Sequence, residues 1–335
     1  MENRIQYIDR LKGFAILLVV MGHIPLFCYH TGIENMDRFI GSFHMPLFMF
    51  LSGLVTKTKI APEYDFIKWL KKIGGLLLPL FFFGICFTLY CTHTSNIDDV
   101  PYKVLSFVCS NNKMGYWYLF VLALFYASMP IYSLNKINCW YIDALIGIII
   151  EIIFYIGWMP ENKLTDVLCL LNVASFYPYF IMGYIFRKYN IIEFVKSNNI
   201  IFTISLLVYI LLFCIPFETH ILKIVSQRLL MPLSAILICL NLFMNREDNN
   251  SLVEQSLSSL GKKTLDIYII HYFIICSINL TMLGKWYNYT NNYLLATINT
   301  VIVSIIIAYI SVYIGKLLRR SKFINLYVFG EIFKQ

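Results

Sequence analysis

Apolar runs of about 20 residues recur along the whole chain and are separated by short polar connections. A run of this length crosses a hydrocarbon core of about 30 Å as an α-helix. The pattern predicts an all-α, polytopic membrane protein. The ten predicted spans lie near residues 12–30, 38–56, 70–90, 116–134, 140–159, 167–187, 199–217, 226–245, 264–283 and 293–317.

The composition agrees with a lipid environment. Only 14% of the 335 residues are charged and 59% are hydrophobic, whereas a soluble domain has about 25% charged residues. The net charge of +8 is spread along short loops and forms no basic helix or arm, so we expect no nucleic-acid partner. The nine cysteines include no CxxC pair, and most lie in apolar runs, where a thiol acts as a small hydrophobe. We expect no metal.

The distribution of basic residues predicts the orientation. With a cytoplasmic N-terminus and ten spans, 20 of the 27 lysines and arginines fall on the inner side, as the positive-inside rule requires. Both termini are therefore predicted inside, in a multi-pass protein of the cell (inner) membrane. The first apolar run is too long for a secretory signal peptide and has no small-residue cleavage site, so we expect it to be retained.

Two histidines stand out within the apolar runs. His23 ends the stretch YIDRLKGFAILLVVMGH (7–23), and His44 lies in SFHMPLFMFLSG (42–53). An ionisable side chain at membrane depth indicates a functional site, and imidazole transfers protons near neutral pH. A lone membrane histidine, such as His271, is equally well interpreted as a hydrogen-bonding group between helices. The pair favours chemistry within the membrane.

The predicted topology indicates how deep these residues lie in the membrane. His23 lies seven residues before His30 at the outer end of the first span, roughly 10 Å below it. His44 lies six residues, roughly 9 Å, inside the second span, which starts near Arg38. The two histidines are therefore expected at similar depth on neighbouring antiparallel helices, where they face one cavity. Lys12 lies roughly 16 Å lower, near the cytoplasmic face.

Four segments resemble the acyltransferase 3 family of integral-membrane acyltransferases. The family's first signature is a basic residue, ten intervening residues and a histidine, here Lys12 and His23. FHMPLFMFLSG (43–53) resembles its second-helix motif. YWYLFVLALFY (116–126) and TLDIYIIHYF (264–273) resemble an aromatic segment and a late Tyr-x-x-His helix. The resemblance implies one transmembrane domain over residues 1–335.

The resemblance also implies an activity. It implies transfer of an acetyl group from cytoplasmic acetyl-CoA, the co-substrate, to a hydroxyl of a cell-surface glycan or its lipid-linked precursor. Most family members have arginine where this chain has Lys12, and lysine offers a point charge instead of a planar fork. The lysine form together with FHMPLF is more similar to fucose 4-O-acetylase-related sugar O-acetyltransferases.

Roles follow for the candidate residues. His23 is the expected general base or transient acyl carrier, and His44 a second proton-handling or orienting group. Lys12 is expected at the catalytic site and at the CoA phosphates. Further expected phosphate contacts are Arg10, Lys71 and Lys72, although inner-face cations also anchor helices. Expected acceptor contacts are Trp117, Tyr118 and Arg228. For the two aromatic residues an interfacial aromatic belt is the commoner explanation, and Arg228 can instead snorkel to the interface.

Two other functions are compatible with intramembrane histidines. One is a proton-coupled transporter or flippase of a lipid-linked saccharide, with the histidines as a proton relay. The chain has no internal repeat of the kind common in transporters, which disfavours it. The other is a non-catalytic scaffold, which the intact histidine pair disfavours but the lysine at position 12 leaves open.

Overall fold

In a computed structural model of the protein, the described residues are 5–56, 66–93, 96–135, 137–159, 162–215, 225–245 and 251–333. Several basic residues used to predict the orientation lie outside these ranges: Arg4, Lys57, Lys59, Lys136, Lys223, Arg246 and Lys334. Within them the chain is helical and contains no β-strand.

The α-helices of the described part follow in chain order: α1 (Gln6–Ile24), α2 (Glu34–Gly41), α3 (His44–Leu54), α4 (Phe66–Cys91), α5 (Val100–Cys109), α6 (Trp117–Ser128), α7 (Trp140–Trp158), α8 (Lys163–Val167), α9 (Leu170–Lys188), α10 (Ile191–Ser197), α11 (Asn199–Cys214), α12 (Met231–Met244), α13 (Leu252–Gly261), α14 (Thr264–Ser277), α15 (Thr281–Thr290) and α16 (Tyr293–Leu318).

Five helical stretches of the described part are long and apolar enough to cross a membrane: Gln6–Tyr29, Trp69–Cys91, Trp140–Trp158, Ser226–Met244 and Tyr293–Leu318. The pair α14 and α15 forms a sixth candidate that is bent by 80°. Trp117–Tyr132 and Asn199–Cys214 are shorter apolar helices. The predicted all-α membrane class is therefore confirmed.

The chain divides into two compact units. The first comprises Met1–Val55 and Phe186–Tyr313, and the second comprises Thr56–Ile185 and Ile314–Gln335. Both histidines of the predicted site belong to the first unit.

Helix α1 is the centre of the first unit, where it packs on α13, α3, α12 and α14. A Cβ atom at Gly13 would strike the backbone of Leu257 on α13, and one at Gly261 would strike the backbone of α1. Small residues thus bring the two backbones into contact. An ion pair of 3.4 Å between Arg10 and Glu254 crosses the same contact. Together these contacts fix the depth and rotation of the helix that carries His23.

The second unit contains a buried polar cluster. The hydroxyl of Tyr177 on α9 is 3.0 Å from those of both Ser128 and Tyr132. Nearby, the Asn135 amide donates a hydrogen bond of 2.7 Å to the Asp143 carboxylate at the start of α7. These bonds satisfy polar groups that would otherwise be costly among apolar helices.

Candidate active site

The candidate site is built on the last turn of α1 and the middle of α14. His23 Nε2 lies 2.9 Å from the hydroxyl oxygen of Tyr272, which is 249 residues away in sequence. Tyr272 is buried and His23 partly exposed. In one tautomer of His23 the tyrosine O–H donates to Nε2, and in the other Nε2–H donates to the tyrosine oxygen. The tyrosine therefore orients the imidazole in either state.

A second imidazole, that of His271, is adjacent to this pair. Its ring centroid lies 5.6 Å from that of His23 and 4.2 Å from that of Tyr272. Its Nδ1–H donates a hydrogen bond of 3.0 Å to the carbonyl of Ile267, so the neutral ring has its lone pair on Nε2. That Nε2 is fully buried and has no hydrogen-bond partner among the described residues. The ring thus supplies an unused proton acceptor beside His23.

His44 has the same local geometry at the start of α3. Its Nδ1–H donates a hydrogen bond of 2.8 Å to the carbonyl of Ile40, one turn earlier. Its lone pair is therefore also on Nε2 when the ring is neutral. Helices α1 and α3, which carry His23 and His44, pack against each other. The joint catalytic role of the two histidines remains a prediction.

The two residues of the first helix that were predicted to bind CoA phosphates lie away from His23, Tyr272 and His271. Lys12 is partly buried and is on α1, eleven residues before His23 and thus roughly 16 Å along the axis. Arg10 is buried, and in addition to its ion pair with Glu254 it donates a hydrogen bond of 3.5 Å to the carbonyl of Phe243. The guanidinium of Arg10 therefore contributes to the packing of α1, while its predicted binding of CoA remains a prediction.

Four predicted ligands belong to the second unit. The Lys72 ammonium lies 3.5 Å from the ring centroid of Tyr126, and Lys71 is partly exposed at the same end of α4. Trp117 stacks on Phe176 with centroids 5.2 Å apart, which occupies one face of its indole. Tyr118 is buried. Their predicted roles as CoA and acceptor ligands remain predictions.

Arg228 belongs to the first unit and is exposed in the π-helical segment Ser226–Leu230 that leads into α12. Its predicted contact with the acceptor also remains a prediction. The described residues contain no group of three or more histidine, cysteine, aspartate or glutamate side chains suited to a metal ion.

The sequence alone predicted no role for Tyr272, and His271 was as well explained there by a hydrogen bond between helices as by catalysis. The signal was present in TLDIYIIHYF, where a histidine and a tyrosine are adjacent in an apolar helix. A sequence does not reveal which helix faces α1, so the connection to His23 became visible only in the fold.

The fold and the site define a helical membrane protein with a histidine–tyrosine cluster where α1 meets α14. The sequence matches the acyltransferase domain over residues 5–313. The chain belongs to the acyltransferase 3 family.

Two curated relatives are the Nodulation protein NolL of Sinorhizobium fredii and that of Mesorhizobium japonicum. The first is 26% identical over 199 residues, which is 56% of this chain and 50% of the relative. The second is 24% identical over 198 residues, which is 56% of this chain and 49% of the relative. The matched region thus spans about half the length of these relatives. No solved structure matches the chain.

Proposed function

We propose that the protein is a membrane-embedded O-acyltransferase. It moves an acetyl group from cytoplasmic acetyl-CoA to a hydroxyl of a cell-surface glycan or its lipid-linked precursor. The observation that carries this proposal is the hydrogen bond between His23 and Tyr272 in a chain of the acyltransferase 3 family. The proposal includes ten spans, both termini in the cytoplasm, and a location in the cell inner membrane.

The His23–Tyr272 pair supports general-base catalysis. Nδ1 of His23 makes no hydrogen bond among the described residues. With Nε2–H donated to Tyr272, Nδ1 carries the lone pair and faces no competing donor there. It takes the proton of the acceptor hydroxyl as the oxygen attacks the thioester carbonyl. The C–S bond then breaks, and the imidazolium returns the proton to the CoA thiolate.

His44 and His271 support this reaction as neutral groups. Both rings are held by a carbonyl one turn earlier, so both present Nε2 as an acceptor. A positive charge on either ring would repel the positive charge that forms on His23 during proton transfer. We therefore assign them the task of orienting the acceptor hydroxyl or its proton while remaining uncharged.

The acyl donor enters from the cytoplasmic side in this proposal. Lys12, roughly 16 Å from His23 along α1, meets the negatively charged part of CoA. The acetylated pantetheine arm is flexible and covers the remaining distance to the histidine.

The test is label transfer in isolated membranes. Membranes with the wild-type protein are supplied with radiolabelled acetyl-CoA, and label is measured in extracted glycan and glycolipid. The variant His23→Ala is expected to abolish the transfer. His30→Asn is the matched control, since His30 is exposed at the end of the same helical stretch and has the left-handed backbone that asparagine also adopts. Normal labelling by His23→Ala would refute the proposed base, and absence of label with the wild type would favour a transporter.

A further inference from the structure

An open cavity of about 560 Å³ lies within the first unit. Gly32, Glu34 and Asn35 line one side, where the chain passes from α1 into α2. The opposite side is lined by Asn288 at the end of α15 and by Tyr293 at the start of α16. Its volume is typical of small-molecule sites, which occupy about 300–1,000 Å³.

The two walls of the cavity are tied to each other. The Thr31 hydroxyl lies 3.4 Å from both the Asn288 side-chain carbonyl and the Gly32 carbonyl and can donate to either. Below it, the Leu280 N–H donates a hydrogen bond of 2.9 Å to the Cys28 carbonyl. Gly284 lies so close to this segment that a Cβ atom there would strike its backbone. The cavity is therefore preformed, which lowers the entropic cost of binding a ligand.

The walls also carry polar groups with unused hydrogen-bonding capacity. Within the described part of the chain, neither the Glu34 carboxylate nor the Asn35 amide makes a side-chain hydrogen bond. The Asn288 carbonyl can accept from Thr31, while its amide nitrogen makes no hydrogen bond to a described residue. All three side chains are exposed. Several hydroxyl groups of one ligand would find both donors and acceptors here.

The cavity lining also includes an aromatic side chain. Tyr293 lines the cavity and is 46% exposed. Hydroxyl-binding side chains beside an accessible aromatic face suit a sugar ring, whose C–H bonds form apolar faces and whose hydroxyls project from its edge. Glu34 is the one charged residue among the described lining residues. Its carboxylate would repel a phosphate or a sugar acid, which disfavours an anionic ligand.

We propose that this cavity binds an uncharged sugar residue of the acceptor glycan. The inference rests on the proposed function and adds the acceptor site to it. Both walls continue directly from the elements that carry the catalytic pair, because α1 with His23 leads into residues 31–36 and α14 with Tyr272 leads into α15. A sugar bound in the cavity would therefore be held by segments that continue from the helices of His23 and Tyr272.

The experiment is binding of the purified, detergent-solubilised full-length protein to an array of neutral and acidic glycans. We expect retention of neutral glycans and a decrease in binding of at least tenfold for Tyr293→Ala and for Asn288→Ala. The matched control is Tyr289→Ala, because Tyr289 is 89% exposed and does not line the cavity. Its binding should stay within twofold of the wild type.

Two results would overturn the inference: no glycan retained by the wild type, or retention that Tyr293→Ala and Asn288→Ala leave unchanged. A preference for acidic glycans would equally contradict it. Binding to the array requires neither acetyl-CoA nor His23, so His23→Ala should bind glycans normally. Label transfer without glycan retention would contradict sugar binding in this cavity and leave the proposed acyl transfer intact. Glycan retention without label transfer would support sugar binding and contradict the proposed acyl transfer.

Discussion

The Tyr272 hydroxyl lies 2.9 Å from Nε2 of His23, and this contact joins the first and the late helices of the chain. Tyr272→Phe removes the hydroxyl and keeps the ring, so the imidazole loses its orienting partner. A hydrogen bond contributes about 0.5–1.5 kcal/mol, and about 1.36 kcal/mol corresponds to a tenfold change in rate. We expect kcat to fall up to about tenfold while KM for acetyl-CoA stays unchanged. Unaltered kcat would show that the hydroxyl does not assist His23.

His271 offers a test that separates packing from chemistry. The side-chain amide of His271→Asn retains a donor for the Ile267 carbonyl but lacks the acceptor at Nε2. His271→Ala loses both groups and leaves a cavity. We expect both variants to lose activity and only the alanine variant to lose thermal stability, measured by fluorescence-detected size-exclusion chromatography. Full activity of the asparagine variant would assign His271 to packing alone.

Lys12 tests whether a point charge or a planar fork is used near the N-terminal end of α1. Lys12→Arg preserves the charge and adds bidentate geometry, whereas Lys12→Met removes the charge. If Lys12 binds CoA phosphates by charge, the arginine variant retains a normal KM for acetyl-CoA and the methionine variant has a raised one. Equal KM values for all three proteins would exclude this role.

The contact between α1 and α13 predicts a strong effect of one methyl group. Gly13→Ala places a Cβ atom against the Leu257 backbone, which no side-chain rotation relieves. Overpacking of this kind costs about 1–3 kcal/mol, so the thermal midpoint should fall and His23 should be displaced. Gly41→Ala is the matched control, because a methyl group added there on α2 would meet nothing within 4 Å. A normal midpoint for Gly13→Ala would contradict the close approach of the helices.

Asp37 predicts a dependence of stability on pH. Burial raises the pKa of its carboxyl group above the usual 3.8, and a hydrogen bond from the Ile33 N–H offsets part of this effect. A carboxyl group whose pKa is higher in the folded than in the unfolded state binds its proton more tightly in the folded state. This stabilisation is fully present below the unfolded-state pKa and is lost as the pH rises through the folded-state pKa. Asp37→Asn removes the titration. The wild type should therefore lose more stability than the variant between about pH 4 and neutral pH, and parallel thermal midpoints would contradict the assignment.

The class of the protein and two residues of its candidate site were predictable from the amino-acid sequence. Runs of about 20 apolar residues are sufficient for an all-α membrane protein because the bilayer fixes the length of a spanning helix. His23 and His44 were recognisable because ionisable groups are costly in lipid and therefore rare there.

Which helices meet could be seen only in the three-dimensional structure. Helix α1 is apolar on most sides, and lipid provides no hydrophobic force that selects one face over another. Gly13 became informative only when α13 was found against it, and Tyr272 only when α14 brought it to His23. These contacts depend on shape and on single hydrogen bonds between residues far apart in sequence, and such information is not contained in the periodicity of the chain.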